Sequence, residues 1–166
     1  VPGANYGDAK MWPPERFSRV AERLVEEHGL QVAVSGGPKE RAILDEVVEG
    51  ANVPVAHLGR FETDLAVLKA VVKRSRIMIA NDTGPRHIAA AMDVPVVTIF
   101  GPTDPAWTEI GFEKERQVAV DVFCGPCQKK ICPLDHRCMT RIDPDMIMAP
   151  VGELLGAQAT GSESRS

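Results

Sequence analysis

The segment Asn81-Asp82-Thr83-Gly84-Pro85-Arg86-His87 has the makings of a phosphate cradle. Asp82 and Thr83 stand where a helix is expected to begin, and Thr83, Gly84 and the residues after them can offer backbone N–H groups. Free amides and the positive end of a helix dipole favour an anion at such a point. His87 lies one turn into that helix, so its ring can face the same site. The spacing also fits a plainer role, in which Asp82 or Thr83 caps the helix and His87 packs against a sheet. Neither a Walker lysine motif nor a G-x-G-x-x-G after a strand is present, so the common phosphate-loop families are not indicated.

Lys10 is the second candidate. It follows the loop Gly3-Ala4-Asn5-Tyr6-Gly7-Asp8-Ala9 and precedes Met11-Trp12-Pro13-Pro14. From there its ammonium could meet a phosphate as a point charge, although most lysines are simply solvated. Glu40 falls in the first turn of an expected helix after Gly36-Gly37. It could accept hydrogen bonds from a sugar hydroxyl, or only complement the helix dipole.

Four cysteines, Cys124, Cys127, Cys132 and Cys138, are the only ones in the chain. Four thiolates could surround a zinc ion or an iron–sulfur cluster, with His136 as a substitute ligand. The run lacks the two well-separated Cys-x-x-Cys pairs of a zinc ribbon. Reduced thiols, or labile disulfides pinning a long loop, fit the spacing better. No firm metal site is therefore assigned, and no Cys/His arrangement suggests a nucleophilic thiol.

The elements that must carry these residues alternate between strand and helix patterns. Phe17, Val20, Ala21, Leu24 and Val25 recur at helical spacing behind Pro13-Pro14, and Gly29 supplies a stop. Leu30 to Ser35 reads as a strand. A helix follows from Pro38, and another from about Thr63 to Arg74. Ile77 to Ala80, Val94 to Phe100 and Gln117 to Val122 read as strands, and Pro85 to Met92 as a helix. A last helix is expected from Asp143 to Leu155, kinked or shortened by Pro150. Strands alternating with helices imply crossovers and a parallel sheet, and the apolar run Val96-Val97-Thr98-Ile99-Phe100 implies cover on both faces. The fold class expected is α/β, a Rossmann-like doubly wound parallel sheet. Its ligand loops should gather beyond the carboxyl ends of the strands. One domain is expected over residues 1–155, with a cysteine loop at 124–138 and a tail without structure at 156–166.

Composition agrees. The 166 residues are 44% hydrophobic and 25% charged, enough for one domain with a core. The formal net charge of -4, with no basic stretch, argues against a nucleic-acid partner. No apolar run is long enough to span a membrane, and clustered thiols suit a cytoplasmic protein. The chain shows no signal peptide, but it opens on Val-Pro-Gly rather than Met, as if cut from something longer.

Taken together, the chain resembles glycosyltransferase family 9, the ADP-heptose:lipopolysaccharide heptosyltransferases. The resemblance runs from about Pro2 to Val151. It rests on Pro2-Gly-Ala, Lys10-Met-Trp-Pro-Pro-Glu-Arg-Phe17, Gly36-Gly37, Asn81 to His87 with Ile88-Ala-Ala-Ala, and Phe100-Gly-Pro-Thr-Asp-Pro105. The cysteine loop resembles the heptosyltransferase II branch. What this implies is a GT-B enzyme, with two Rossmann-like domains around a cleft, of which this is the C-terminal, donor-binding half. The resemblance implies metal-independent, inverting transfer of heptose from ADP-heptose to the inner core of lipopolysaccharide, with no cofactor. Lys10 then stabilises the leaving diphosphate, and Asp82, Thr83, Gly84 and His87 form the nucleotide-sugar loop. Asn5 and Tyr6 stand where related enzymes often carry hydroxyl residues, and Glu40 matches an acidic nucleotide contact loosely. The general base and the acceptor site would lie in a domain outside this chain, so the fragment alone should be nearly inactive. The whole enzyme would be cytoplasmic and peripheral to the inner membrane. Two other readings stay open: a GT-B domain for another sugar nucleotide, and a stand-alone nucleotide- or metal-binding module.

Overall fold

The computed structural model describes the backbone of residues 1–61 and 64–163, and the side chains of 1–61 and 64–158. Helix α1 spans Pro14–His28. Pro14 needs no N–H at the first helical position. Gly29 ends the helix in the left-handed conformation (φ 62°), and its N–H reaches the Leu24 and Val25 carbonyls. Strand β1 is Val32–Val34, and a 3-10 turn at Pro38–Glu40 leads into α2, Arg41–Gly50. Strand β2, Val55–His57, pairs in parallel with β1. Helix α3, Leu65–Arg74, is capped by the Asp64 carboxylate, which accepts from the Val67 amide at 2.8 Å. The expected start at Thr63 lies outside the described residues.

A second parallel sheet has the order β3-β4-β5, with β3 Met78–Asn81, β4 Val96–Ile99 and β5 Glu115–Val118. Helix α4, Gly84–Ala91, crosses from β3 to β4. Helix α5 is a single turn, Arg137–Thr140, and α6 runs from Pro144 to Glu163. Every residue of β4 is buried, because the strand has a core on each face. Val97 and Ile99 join the larger core with Trp12, Phe17 and Leu24 of the N-terminal part and Ile147 and Val151 of α6. Val96 joins a smaller core with Met78, Ala80, Val72 of α3 and Ala89 of α4. Period-two alternation along one strand thus serves both layers, as a doubly wound fold requires.

The parallel strands are divided between two sheets rather than continuous. Val1 lies along β3: its N–H donates to the Ile79 carbonyl at 2.6 Å, and the Asn81 N–H donates to the Val1 carbonyl at 3.4 Å. A cavity of about 530 Å³ separates the sheets, walled by Val1, Val32, Val34, Val72 and Ile79.

Several elements differ from the sequence reading, the unanticipated single turn α5 among them. Strand β2 was not anticipated. Helix α2 opens with a 3-10 turn, so Glu40 stands before the α-helix. Strand β5 starts two residues earlier than expected and ends four earlier, paired with β4 from Glu115 to Val118. Helix α6 passes through Pro150 and continues beyond Leu155 to Glu163, where composition predicts an unstructured tail. Pro150 removes one helical hydrogen bond, but Ile147, Met148, Val151, Leu154 and Leu155 remain buried against the core. Packing of that face outweighs the local penalty. Residues 164–166 lie outside the described residues.

Candidate functional site

Loops after Gly3, β1, β3 and β4 meet at the carboxyl rim of the strands, where such sheets hold ligands. The backbone of the first is fixed from below. Trp12 is fully buried, its Nε1 donates to the Ile142 carbonyl at 2.9 Å, and its backbone N–H donates to Asn81 Oδ1 at 3.3 Å. Asn81, also fully buried, donates through Nδ2 to the Pro2 carbonyl at 2.7 Å. One side chain of β3 therefore clamps both ends of the loop that carries Asn5, Tyr6 and Lys10.

Lys10 is 7% exposed. Its Nζ donates to Asp82 Oδ2 at 2.5 Å and to the Asp82 carbonyl at 3.3 Å, and lies 4.6 Å from the centre of the Tyr6 ring. Asp82 is a hub. Oδ2 also accepts from Thr103 Oγ1 at 2.8 Å, and Oδ1 accepts from Arg86 at 2.6 Å and from Thr108 Oγ1 at 3.4 Å. Burial alone would raise the Asp82 pKa. Hydrogen bonds from Lys10 and Thr103, and the charges of Lys10 and Arg86, outweigh it and hold the carboxyl below its ordinary range. Arg86 is fully buried, donates to the Thr108 carbonyl at 2.5 Å and lies over the Phe100 ring. Its Nε stands 3.2 Å from Glu115 Oε1, an ion-pair contact without hydrogen-bond geometry.

Above this charged floor the rim is open. Thr83 is the N-cap of α4, but its hydroxyl turns back to the Asn81 carbonyl and caps no amide. Asp82 makes no cap either, because its carboxylate is spent on cations and hydroxyls. Pro85 has no N–H and the Arg86 N–H donates to the Thr83 carbonyl at 3.2 Å, so the Thr83 and Gly84 N–H groups are left for a ligand, at the edge of a cleft where a Cβ added at Gly84 would meet nothing within 4 Å. A cavity of about 380 Å³ is lined there by Gly3, Asn5, Gly36, Glu40, Thr83 and Gly84. A second, of about 890 Å³, shares Asn5, Gly37 and Glu40 and extends past Trp12 and Pro13. Glu40 stands between them, its Oε2 accepting from the Gly37 N–H at 2.6 Å. A Cβ at Gly3 would sit 2.0 Å from the Glu40 Cδ, so only glycine admits the carboxylate.

The structure thus brings Asn5, Glu40, Thr83 and Gly84 to one cavity, with Asp82 and Lys10 beneath it. Lys10 lines neither cavity. Tyr6 is turned towards the cysteine loop, its hydroxyl donating to the Gln128 carbonyl at 2.6 Å. His87 is exposed and lines neither cavity. Arg86 and Asn81 were not singled out from sequence. The signal for Arg86 was its position four residues after Asp82, one turn along the same helix face. The cysteines are all free; Cys138 is buried, and desolvation together with its neighbours Cys132, Cys127 and Cys124 pushes its thiol up to about 11. His136 is occupied, its Nε2 lying 2.7 Å from the Ala9 carbonyl.

A split parallel sheet with a core on each face and an open rim of loops places the chain among Rossmann-like α/β domains. The particular lineage is also clear: residues 1–137 match Glycosyltransferase family 9 (heptosyltransferase), and the chain belongs to that family. It is similar to Lipooligosaccharide heptosyltransferase 2 of Campylobacter jejuni subsp. jejuni serotype O:2, at 31% identity over 93% of this chain and 49% of the relative. Lipopolysaccharide heptosyltransferase 2 of Salmonella typhimurium is 33% identical over 95% of this chain and 46% of its own length. Among solved structures, the E. coli ADP-heptose LPS heptosyltransferase II superposes with a TM-score of 0.82 at 26% identity, over 95% of this chain and 46% of that one. The E. coli heptosyltransferase WaaC with ADP gives 0.72 at 21% identity, a likeness of fold. The chain spans about half the length of the curated relatives it matches. No helix among the described residues is long and apolar enough to cross a membrane.

Proposed function

We propose that this chain is the donor-binding half of an inverting GT-B heptosyltransferase, which takes heptose from ADP-heptose for the inner core of lipopolysaccharide. The observation that carries the reading is the cleft over the N-terminus of α4, with free amides at Thr83 and Gly84 and a buried lysine below. In this reading the diphosphate docks on those amides, and Lys10 turns from Asp82 to share its charge with it. Asn5 and Glu40 meet the nucleoside or the sugar hydroxyls from the opposite wall. Asp82 is a positioning residue, since it touches Lys10 and Arg86 rather than the open cleft.

The chemistry assigned to these groups is stabilisation of the leaving group. An acceptor hydroxyl attacks the anomeric carbon as the bond to the diphosphate oxygen breaks. ADP takes the electron pair, and the amides and Lys10 meet the negative charge that develops there. Donors fixed in place before the reaction lower the barrier without reorganising. The proton of the acceptor passes to a base outside this chain, and the acceptor binds outside it too. The matches to about half of each relative support this division. The full enzyme would work in the cytoplasm against the inner membrane surface, with no nucleic-acid partner.

The test is calorimetric titration of the chain with ADP and with UDP, beside a transfer assay with ADP-heptose and acceptor. ADP should bind in preference to UDP, Lys10→Met should weaken it, and transfer should be negligible. Full transfer by the chain alone, or ADP affinity indifferent to Lys10, would overturn the proposal.

A further inference from the structure

The cysteine loop has no part in the reading above. From 119 to 136 the chain forms neither helix nor strand. A loop of that length inside a compact domain normally has a function or something that holds it. Val120 and Val122 pack against the core and the Gln128 N–H donates to the Pro102 carbonyl at 2.8 Å, but the larger apolar side chains stay outside: Phe123, Ile131 and Leu134 are exposed by 79%, 74% and 55%. The thiols are turned the other way. Cys124, Cys127, Cys132 and Cys138 all line one cavity of about 250 Å³, together with Pro102, Val122 and Pro133. A loop with its larger apolar side chains outside and its thiols inside has the build of a small metal-held module.

We propose that the four cysteines form a tetrathiolate site for a thiophilic metal centre, which braces this loop against the rim. The ligands come from three loop positions and one helix: Cys124 and Cys127 are three residues apart, Cys132 follows at five, and buried Cys138 lies in α5. Among the described residues no group of three His, Cys, Asp or Glu side chains is already arranged to hold a metal ion. Binding must therefore draw the sulfurs inward, and the loop contracts around the centre. Four thiolates about a divalent ion, or about an iron–sulfur core, carry net negative charge. Lys129 and Arg137 line the same cavity and offset part of it, Arg137 being already paired with Asp135 at 2.8 Å. His136 is not a ligand, since its ring nitrogen is already at the Ala9 carbonyl. Two disulfides are not formed, all four thiols being free.

Zinc and an iron–sulfur cluster share this ligand chemistry, and the experiment separates them. The full chain is purified without oxygen and analysed for zinc, iron and acid-labile sulfide. One zinc per chain, or iron with matching sulfide and a visible charge-transfer band, supports the site and names the centre. Stripped protein is then titrated with Co²⁺ alone. Thiolate-to-cobalt charge-transfer absorption should saturate at one equivalent. Cys127→Ser and Cys132→Ser, both outside the core, should each weaken Co²⁺ binding by more than about 100-fold while circular dichroism stays unchanged. Protein that retains no metal and gives no thiolate–cobalt band overturns the proposal. So does Co²⁺ binding that survives both substitutions, or thiol titration showing disulfides in freshly purified protein. None of these readouts depends on nucleotide binding, so failure here leaves the donor-site reading standing.

Discussion

Replacing Asp82 by Asn separates the two roles assigned to the charged floor. The carboxylate is 5% exposed and meets two cations that are themselves almost wholly buried, Lys10 and Arg86. Removing one partner of a buried pair leaves the other charge uncompensated and costs about 3–5 kcal/mol. That is a large share of a domain stability of about 5–15 kcal/mol. At roughly 2–4 °C per kcal/mol for a chain of this size, the midpoint should fall by about 6–20 °C. Lys10→Met is the contrasting change. It leaves Asp82 paired with Arg86, Thr103 and Thr108, so the loss should stay near 1–2 kcal/mol, mostly from one broken charged hydrogen bond. Its ADP affinity should nevertheless drop by at least about tenfold, the equivalent of 1.4 kcal/mol. Urea unfolding and calorimetry on both variants give the four numbers. Equal destabilisation by the two substitutions, with unchanged ADP binding in Lys10→Met, would show that the lysine is only a structural counter-ion.

Further outcomes follow from the same geometry. Asp82 titrates below the ordinary aspartate value of 3.8, so its stabilisation is complete above that pH and is lost as pH falls through the lower folded value; acid unfolding of the wild type should steepen below about pH 4, and Asp82→Asn should remove that part of the slope. Gly84→Ala meets open space, so stability should change by less than about 0.5 kcal/mol, whereas a methyl over the α4 amides should weaken ADP measurably; unaltered ADP affinity would count against docking there. Gly3→Ala forces the Glu40 carboxylate off the Gly37 amide and should cost about 1–2 kcal/mol in urea unfolding. Because that loss is the Gly37 hydrogen bond itself, Glu40→Ala alone should cost about as much and the double variant no more than either single; additive losses would mean the clash lies elsewhere.

Much of the fold is legible in the residues. The run Val96 to Phe100 announces a strand covered on both faces, and Pro14 and Gly29 mark the ends of α1. Strand β2 was not legible: three residues after Asn52-Val53-Pro54 are too few to show a period, and pairing with β1 is what makes them a strand. Pro150 misled because the rule for proline is local, while the buried face of α6 is a tertiary fact. At the site, the gathering of the loops at one rim was readable, whereas the burial of Lys10 against Asp82 was not. The role of Asp82 was not, because capping and pairing look alike until the partners are placed. Arg86 was missed for a physical reason. Arginine in a short helix is normally solvated, and only the convergence of Asp82, Thr108 and Glu115 makes its burial affordable.

The buried charges beneath the cleft sum to nothing: two cations, Lys10 and Arg86, against two anions, Asp82 and Glu115. The charged floor therefore gives diffusing anions no long-range pull, and Glu40 on the cleft wall and the formal net charge of -4 act against them. Attraction begins only at amide contact, well inside a Debye length of about 8 Å at physiological ionic strength. The association rate of ADP, followed by stopped flow, should therefore not fall as salt is added, since screening removes only repulsion.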